Sequence, residues 1–285
     1  MKKIVKNKIP QTIAWIENHL DRKINTEIIA NKLNCSKRYV STLFYKNTGV
    51  TIATYIRLRR LTMASLLLRE TGRSITEISM MYGFEYVQTF SKIFKNHFQL
   101  SPLQYRKASC WDMNLFFPSA LINNIEHTVQ FLQLEDKYLL VSKQTKLSLN
   151  LGYNFFLKTK NGNIDSFKSA YSDCIDFIFE PILLGRTLVV KGMLIPVYQG
   201  DTELVLYSGS LSNIYSLNSK KIHSGKYIVF SFKGNPFEIM AFHAWCKGHG
   251  LYKYKCILKR GSTFSSFTKV AEPDIYFSRY FIPIV

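Results

Sequence analysis

Apolar residues recur at the three-and-four spacing of amphipathic helices through the first hundred positions, and the pattern shifts to alternation in the second half of the chain. The sharpest helical signal is Phe90, Phe94 and Phe98 at i, i+4 and i+8, with Gln88, Thr89, Lys92 and Lys95 largely on the other face. Tyr82-Gly83-Phe84 in front predicts a tight turn, because Gly reaches backbone angles that a Cβ forbids. Ser74-Ile75-Thr76-Glu77 predicts a capping box opening a short helix through Met81. Helix, Gly turn and a helix with a basic polar face is the pattern of a helix-turn-helix unit.

The pattern occurs twice. Ile13, Ile16 and Leu20 predict a first helix over 10–21, and Asn25 is placed to cap a second helix carrying Ile28, Ile29 and Leu33 inward. Asn34-Cys35 makes a turn, and Ser36 caps a third helix with Val40, Leu43 and Phe44 on its apolar face, ended by Gly49. A long connecting helix is expected from Thr51 to about Thr71, apolar at Ile52, Tyr55, Ile56, Leu61, Ala64 and Leu68 and closed by Gly72. Arg57, Arg59 and Arg60 project from its other sides. Ser36 matches Tyr86 at a repeat of roughly fifty residues, and Ser101-Pro102 is expected to stop the last recognition helix. Two such helices on a stiff connector fit successive major grooves roughly 34 Å apart, so a monomer would read an asymmetric site of about two turns.

Residues 108–121 form a linker that is too apolar for a flexible tether and is expected to pack on one neighbour. Beyond it, strands are predicted at 129–134, 138–143, 189–198, 204–209, 226–233 and 274–285. Helices are predicted at 166–179, with Phe167, Ala170, Tyr171, Cys174 and Ile178 inward, and at 237–246. The chain therefore reads as multidomain, with an all-α double helix-turn-helix domain at 8–107. An α+β domain of two strand-helix-strand-strand halves follows at 122–285, with a cleft where the halves meet.

Charge sharpens this picture. Net charge is +19, and residues 1–107 carry 19 Lys/Arg against 6 Asp/Glu. So strong a local excess points to a polyanion, nucleic acid before membrane. Five scattered cysteines without a CxxC predict reduced thiols, and no run of 18 apolar residues or signal peptide develops, so a cytoplasmic location without membrane insertion is expected. His243-x-x-Cys246-x-x-His249 has metal-like spacing, but Gly248 and Gly250 interrupt the helix and no fourth ligand is evident. The sequence calls for no metal and no cofactor.

Residues 8–107 resemble the DNA-binding domain of the AraC/XylS family of transcription regulators, in its MarA-type and Rob-like branch. The resemblance is carried by Trp15-Ile16-Glu17, Cys35-Ser36-Lys37, Leu43-Phe44, Thr48-Gly49, Tyr55-Ile56-Arg57, Leu61, Ile75, Ile78, Tyr82-Gly83-Phe84, Gln88-Thr89-Phe90, Phe94-Lys95, Phe98, Pro102 and Tyr105-Arg106. It implies an activator that binds double-stranded DNA as a monomer and engages RNA polymerase. Its base-contacting positions fall on Arg38, Ser41 and Thr42 in the first recognition helix and on Val87, Gln88, Thr89 and Lys92 in the second. The chain departs from the branch at most of these positions, which implies a different target sequence. Arg38 can fork onto guanine, Gln88 onto adenine, and Val87 can touch a thymine methyl. Ser41 and Thr42 are short, so the first box should be read loosely. Ser36, Lys37, Arg57, Arg59, Lys95 and Arg106 are assigned to the DNA backbone.

The second half is similar to the GyrI-like effector-binding domain, through Ser224-Gly225-Lys226-Tyr227-Ile228-Val229-Phe230 and the Ile282-Pro283-Ile284 ending. The resemblance implies an aromatic effector cleft walled by Tyr207, Tyr227, Phe230, Trp245 and Tyr280. Arg279 stands where related domains place a carboxylate, which favours an anionic or neutral amphipathic ligand over a cation. Two other readings of this half are a ligand-free protein-interaction or sequestration module and a DNA-tethered enzyme. The second would need an activated cysteine, and no Pro-Cys-His-Arg sequence is present.

Overall fold

The computed structural model describes residues 8–120, 125–150, 164–197, 201–261 and 263–285. In the first part lie α1 (Lys8–Glu17), α2 (Thr26–Lys32), α3 (Lys37–Thr48), α4 (Ile52–Glu70), α5 (Ile75–Met81), α6 (Val87–Phe98) and α7 (Pro102–Lys107). Asn25, Ser36, Thr51, Ser74 and Ser101 each accept a hydrogen bond from the backbone N–H three residues on, which fixes where these helices start. At Ser74 the cap forms as predicted, while the Glu77 carboxylate pairs with Arg73. Ser101-Pro102 does more than stop a helix. It opens α7 through a complete capping box with Gln104, Pro102 supplying the preset first helical residue. The stop of α6 is left to Gln99, whose φ is 59°.

Helix α4 is buried on nearly every side, including the predicted Ile52, Tyr55, Ile56, Leu61, Ala64 and Leu68. Ile16, Leu20, Ile29, Val40 and Phe44 pack on it from the first unit, and Ile78, Phe90, Phe94 and Phe98 from the second. Both recognition helices are thus referenced to one rigid axis. Ile29 is buried as expected, while Ile28, also expected inward, is exposed and Ala30 is buried beside Ile29.

At the centre sits Arg59, whose side chain is 0% exposed. Its Nε and Nη2 donate to Glu17 Oε1 and Oε2 at 2.8 and 2.9 Å, and Nη1 donates to the Phe117 carbonyl at 2.6 Å. Tyr55 Oη also donates to Glu17 Oε1, at 2.7 Å. Burial opposes the Arg59 charge, but Glu17 outweighs it and raises the guanidinium above its ordinary value. Burial likewise pushes the Tyr55 hydroxyl well up. Arg59 therefore holds α1, α4 and the linker together and is sealed away from any phosphate, which corrects the backbone-contact expectation.

The linker packs as its apolarity predicts. Trp111, Met113 and Phe116 are buried, Trp111 Nε1 donates to the Tyr105 carbonyl, and the Phe117 N–H donates to Thr62 Oγ1. His97 Nε2 lies 2.8 Å from the Leu115 carbonyl.

The remainder is a curled antiparallel sheet with helices. It contains β1 (Cys110–Asp112), β2 (Thr128–Leu134), β3 (Lys137–Asn150), α8 (Ile164–Phe179), β4 (Thr187–Pro196), β5 (Asp201–Ser212), β6 (Ser219–Ile222), β7 (Gly225–Gly234), α9 (Pro236–Trp245), β8 (Ile257–Lys259), β9 (Phe264–Lys269) and β10 (Tyr276–Ile284). The order is β1-β8-β10-β9-β4-β5-β3-β6, with β7 between β10 and β2. In chain order α8 falls between β3 and β4 and α9 between β7 and β8, and the β4–β9 pairing joins β3, β4 and β5 to β9, β10 and β7 in one sheet. Cys174 and Ile178 face the core as predicted, while the side chains of Phe167, Ala170 and Tyr171 lie outside the described residues. The short strands β1, β6, β8 and β9 were not legible in the alternation. Ile228, Phe230, Phe242, Trp245, Tyr280 and Ile282 share one continuous core with Trp111 and the helical half.

Candidate nucleic-acid interface

The two turns that aim the recognition helices are built alike from different residues. Asn34 (φ 51°) and Gly83 (φ 69°) take the left-handed conformation, which Gly and Asn accept most readily. The following N–H in each case reaches back five residues, Cys35 to Ala30 O at 3.0 Å and Phe84 to Ser79 O at 3.1 Å. Gly83 has a second reason to lack a side chain, since an added Cβ would stand 3.2 Å from Arg60 Nη2. Arg60 donates to the carbonyls of Leu20 and Arg22, at 2.9 and 2.5 Å, and so braces the end of the first helical segment against the second turn.

Beyond the turns, Val40 and Phe44 anchor α3, and Phe90, Phe94 and Phe98 anchor α6, all buried. That leaves Arg38, Ser41 and Thr42 exposed on α3, and Gln88, Thr89 and Lys92 exposed on α6, with Val87 half-buried beside them. Neither helix contains an Asp or Glu, so each presents an uninterrupted polar and cationic face. Tyr45 and Asn96 extend these faces by one turn, four residues beyond Ser41 and Lys92, and both are exposed. The i, i+4 spacing was the signal for them.

Of the residues assigned to phosphates, Lys37, Arg57 and Lys95 are exposed. Lys37 makes an ion pair with Glu27 at 2.9 Å, with both side chains more than half exposed, which is weak enough to exchange for a phosphate. Ser36 commits its Oγ to the Tyr39 N–H as the cap of α3. Arg106, like Arg59, turns inward, its Nε and Nη2 donating to the carbonyls of Leu68 and Arg73. It closes α7 onto α4, a second correction to the backbone assignment.

The residues expected to wall an effector cleft do not converge. Pleating separates Tyr227 from Phe230 on β7 and Arg279 from Tyr280 on β10. Tyr207 and Tyr227 join a cluster with Phe264 and Phe281, and Arg279 lies over the Phe281 ring with Nη2 3.5 Å from Gln130 Oε1. Phe230, Trp245 and Tyr280 face the other way, into the core shared with the helical half. Three of the six thus lie on each sheet face, and they cannot contact one ligand together.

Titratable groups in this half are buried for structural ends. Burial pushes the Cys174 thiol up to about 12, Cys256 to about 11 and Cys246 well above its ordinary value, the reverse of an activated nucleophile. His243 Nε2 lies 2.9 Å from Ser278 Oγ and its ring stacks on Tyr280. The His249 side chain is outside the described residues, among which no group of three His, Cys, Asp or Glu is placed to hold a metal. Burial, then Lys247, depress His243 to about 3 from 6.5. Its folded value lies below its unfolded one, so the associated stability is complete above about pH 6.5 and is lost as pH falls toward 3. His243→Gln is therefore expected to lose about 1–2 kcal/mol less stability than the parent chain between pH 6 and 4.5. Urea unfolding at the two pH values measures this, and identical losses would contradict a neutral buried imidazole.

No helix among the described residues is long and apolar enough to cross a membrane. A family profile described as "Helix-turn-helix domain" matches residues 29–108, the span of both turns and both recognition helices. The chain is 42% identical over 105 residues to the transposon Tn10 TetD protein of Escherichia coli, covering 37% of this chain and 76% of that one. It is 41% identical over 98 residues to the regulatory protein SoxS of Escherichia coli strain K12, covering 34% and 92%. Similarity to the transcriptional regulator Rob of Salmonella typhimurium strain LT2 runs through both halves, at 29% identity over 236 residues, covering 79% and 78%.

Proposed function

The chain belongs to the AraC/XylS family of DNA-binding transcription regulators, in its Rob-like branch, and on that premise we propose that it binds an asymmetric two-box DNA site as a monomer. The observation that carries this reading is the pair of acid-free recognition helices anchored to the single buried helix α4. A rigid connector offers two grooves to one chain, so no symmetric partner is required. Arg38 and Gln88 read bases, Ser41, Thr42, Val87, Thr89 and Lys92 complete the contact faces, and Lys37, Arg57 and Lys95 meet phosphates. The protein acts in the cytoplasm as an activator that engages RNA polymerase. Its second half, a GyrI-like domain, senses a ligand.

Selection of bound duplexes from a random pool by the full chain tests this reading. One asymmetric motif of about two turns is expected, whereas a palindrome would overturn monomeric reading. Gln88→Ala should cost about 1–3 kcal/mol at one base position and little elsewhere. Lys95→Ala should weaken all sequences alike and reduce the salt slope by about 0.9. A uniform loss for Gln88→Ala would reassign it to the DNA backbone.

A further inference from the structure

We propose that the sheet edge around β6 is a docking surface for a bilayer rich in anionic lipid, with Ile214, Tyr215 and Leu217 entering the headgroup layer and neighbouring lysines meeting lipid phosphates. The loop between β5 and β6 exposes Ile214 at 77%, Tyr215 at 62% and Leu217 at 91%, and Leu211 on the strand leading into it is exposed as well. Single apolar residues scattered over a surface need no explanation, but a contiguous apolar patch marks an interaction site. The loop is ordered by its own polar groups. Ser212 Oγ accepts from the Ile214 N–H at 2.9 Å, and Asn213 Oδ1 accepts from Lys137 Nζ at 2.5 Å. Ser216 and Ser219 close the turn through the Ser219 N–H and Oγ, which donate to the Ser216 carbonyl at 2.9 and 2.6 Å. Tyr215 meets Tyr138 edge to face. These bonds hold the aliphatic side chains of Ile214 and Leu217 out in water, where burial against an apolar medium is the gain still open to them.

Charge decides the partner. From residue 204 to 237 the chain contains no Asp or Glu. Lys220 and Lys221 on β6 and Lys226 on β7 are exposed, and Lys191 reaches in from β4, its Nζ donating to the Lys221 carbonyl at 2.5 Å. Lys191, Lys221, Lys226, Lys259 and Arg260 line a depression of about 380 Å³. Its one carboxylate, Asp136, is engaged by Lys221 at 2.5 Å and by the Ser224 N–H at 2.6 Å. Glu135 next to Asp136 is exposed and leaves the cations in clear excess. Burial, then the like charge of Lys220, lowers Lys191 below its ordinary value, as expected where cations crowd together. The Lys221–Asp136 pair is itself on the surface, so it can exchange for a lipid phosphate at little cost.

Lysines on an edge strand are an ordinary guard against stray strand pairing, and β6 ends the path of the sheet. That accounts for Lys220 and Lys221 and leaves the apolar loop unexplained. An apolar tip beside a basic basin meets both layers of an anionic membrane surface, hydrocarbon boundary and phosphate. Strand β6, four residues and about 13 Å long, joins the tip to the basin, so one flat surface can touch both. Tyr215 suits the boundary, because its ring is apolar and its hydroxyl stays wet. A protein partner would need a socket shaped to a protruding loop, whereas a bilayer yields to it. The contact is an attachment to the surface and needs no spanning segment.

Flotation of the full chain with lipid vesicles, in the absence of DNA, tests this and keeps the outcome independent of the two-box reading. Vesicles of equal parts phosphatidylglycerol and phosphatidylcholine are expected to bind the chain at least about tenfold more tightly than phosphatidylcholine alone. The basic helical half is also drawn to any polyanion, so the deciding variant is Ile214→Ser with Leu217→Ser, which keeps every charge. It should weaken binding to the anionic vesicles by about a hundredfold. Both side chains are exposed, so its urea midpoint should match that of the parent chain. Lys220→Gln with Lys226→Gln should cost about fivefold for each lysine removed. Unchanged vesicle binding in the serine variant, equal binding to the two compositions, or binding to neither would overturn the proposal. Sedimentation without lipid examines the rival occupant: a parent dimer that the serine variant returns to monomer would mean that a second copy covers the loop, and would overturn it too.

Discussion

Replacing Arg59 with methionine is expected to lower the unfolding free energy by about 3–5 kcal/mol, the usual cost of stripping one partner from a buried ion pair. The cause is what remains behind. Glu17 would keep a buried charge without its guanidinium partner, though still bonded by the Tyr55 hydroxyl, and the Phe117 carbonyl would lose the Arg59 donor. The pair is not thereby a net source of stability. Desolvating both charges offsets most of their attraction, so the double replacement Glu17→Leu with Arg59→Met should recover much of the loss. Urea unfolding of the two single variants and the double variant measures the coupling. DNA binding supplies an independent check, because a residue sealed in the core releases no counterions from DNA. The salt slope of whatever Arg59→Met folds should match that of the parent chain. A slope reduced by about 0.9 would restore Arg59 to the phosphate contacts.

Ending the chain at 107 should be nearly as damaging. From beyond that point Trp111 packs on Tyr105 and Phe116 on Phe98 of the helical half, while the Met113 N–H donates to the Cys256 carbonyl of the second half. Burial of such side chains contributes about 1.5–3 kcal/mol each, so a fragment stopping at 107 should be less stable than one stopping at 120 by about 3 kcal/mol or more. The shorter fragment also loses the Phe117 carbonyl on Arg59, the Phe117 N–H on Thr62 and the Leu115 carbonyl at His97. The total approaches the whole stability of a small domain. Urea midpoints of the two fragments decide it, and coincident curves would show the 108–120 segment to be a passive tether. Site selection with a DNA-binding fragment should accordingly use the longer one.

Much of the helical half could be read in advance because its determinants are local. Ser36, Thr51 and Ser74 meet the N–H three residues on, Gly49 and Gly83 take positive φ, and phenylalanines four apart share a helix face. None of these depends on distant residues. Ser101-Pro102 misled because the same pair that ends one helix also starts another, and Gln104 three residues on was the sign of it. In the sheet, β8 and β1 are too short for alternation to register, and their pairing with each other crosses nearly 150 residues of sequence.

By itself the sequence determined the repeated helix-turn-helix pattern, the acid-free recognition faces, the packing of an apolar linker and a second half made of strands and two helices. Each follows from spacing, capping or charge within a few residues. Only the tertiary structure decided which arginines face inward, since Arg57 and Arg59 differ in sequence by two positions and in exposure entirely. Pleat parity already separates Tyr227 from Phe230 and Arg279 from Tyr280, but which face turns toward the core shared with the helical half was decided by the fold. The fold also brought Glu70 and Lys247 within 3.7 Å, because juxtaposing the end of α4 with the turn after α9 takes the whole chain.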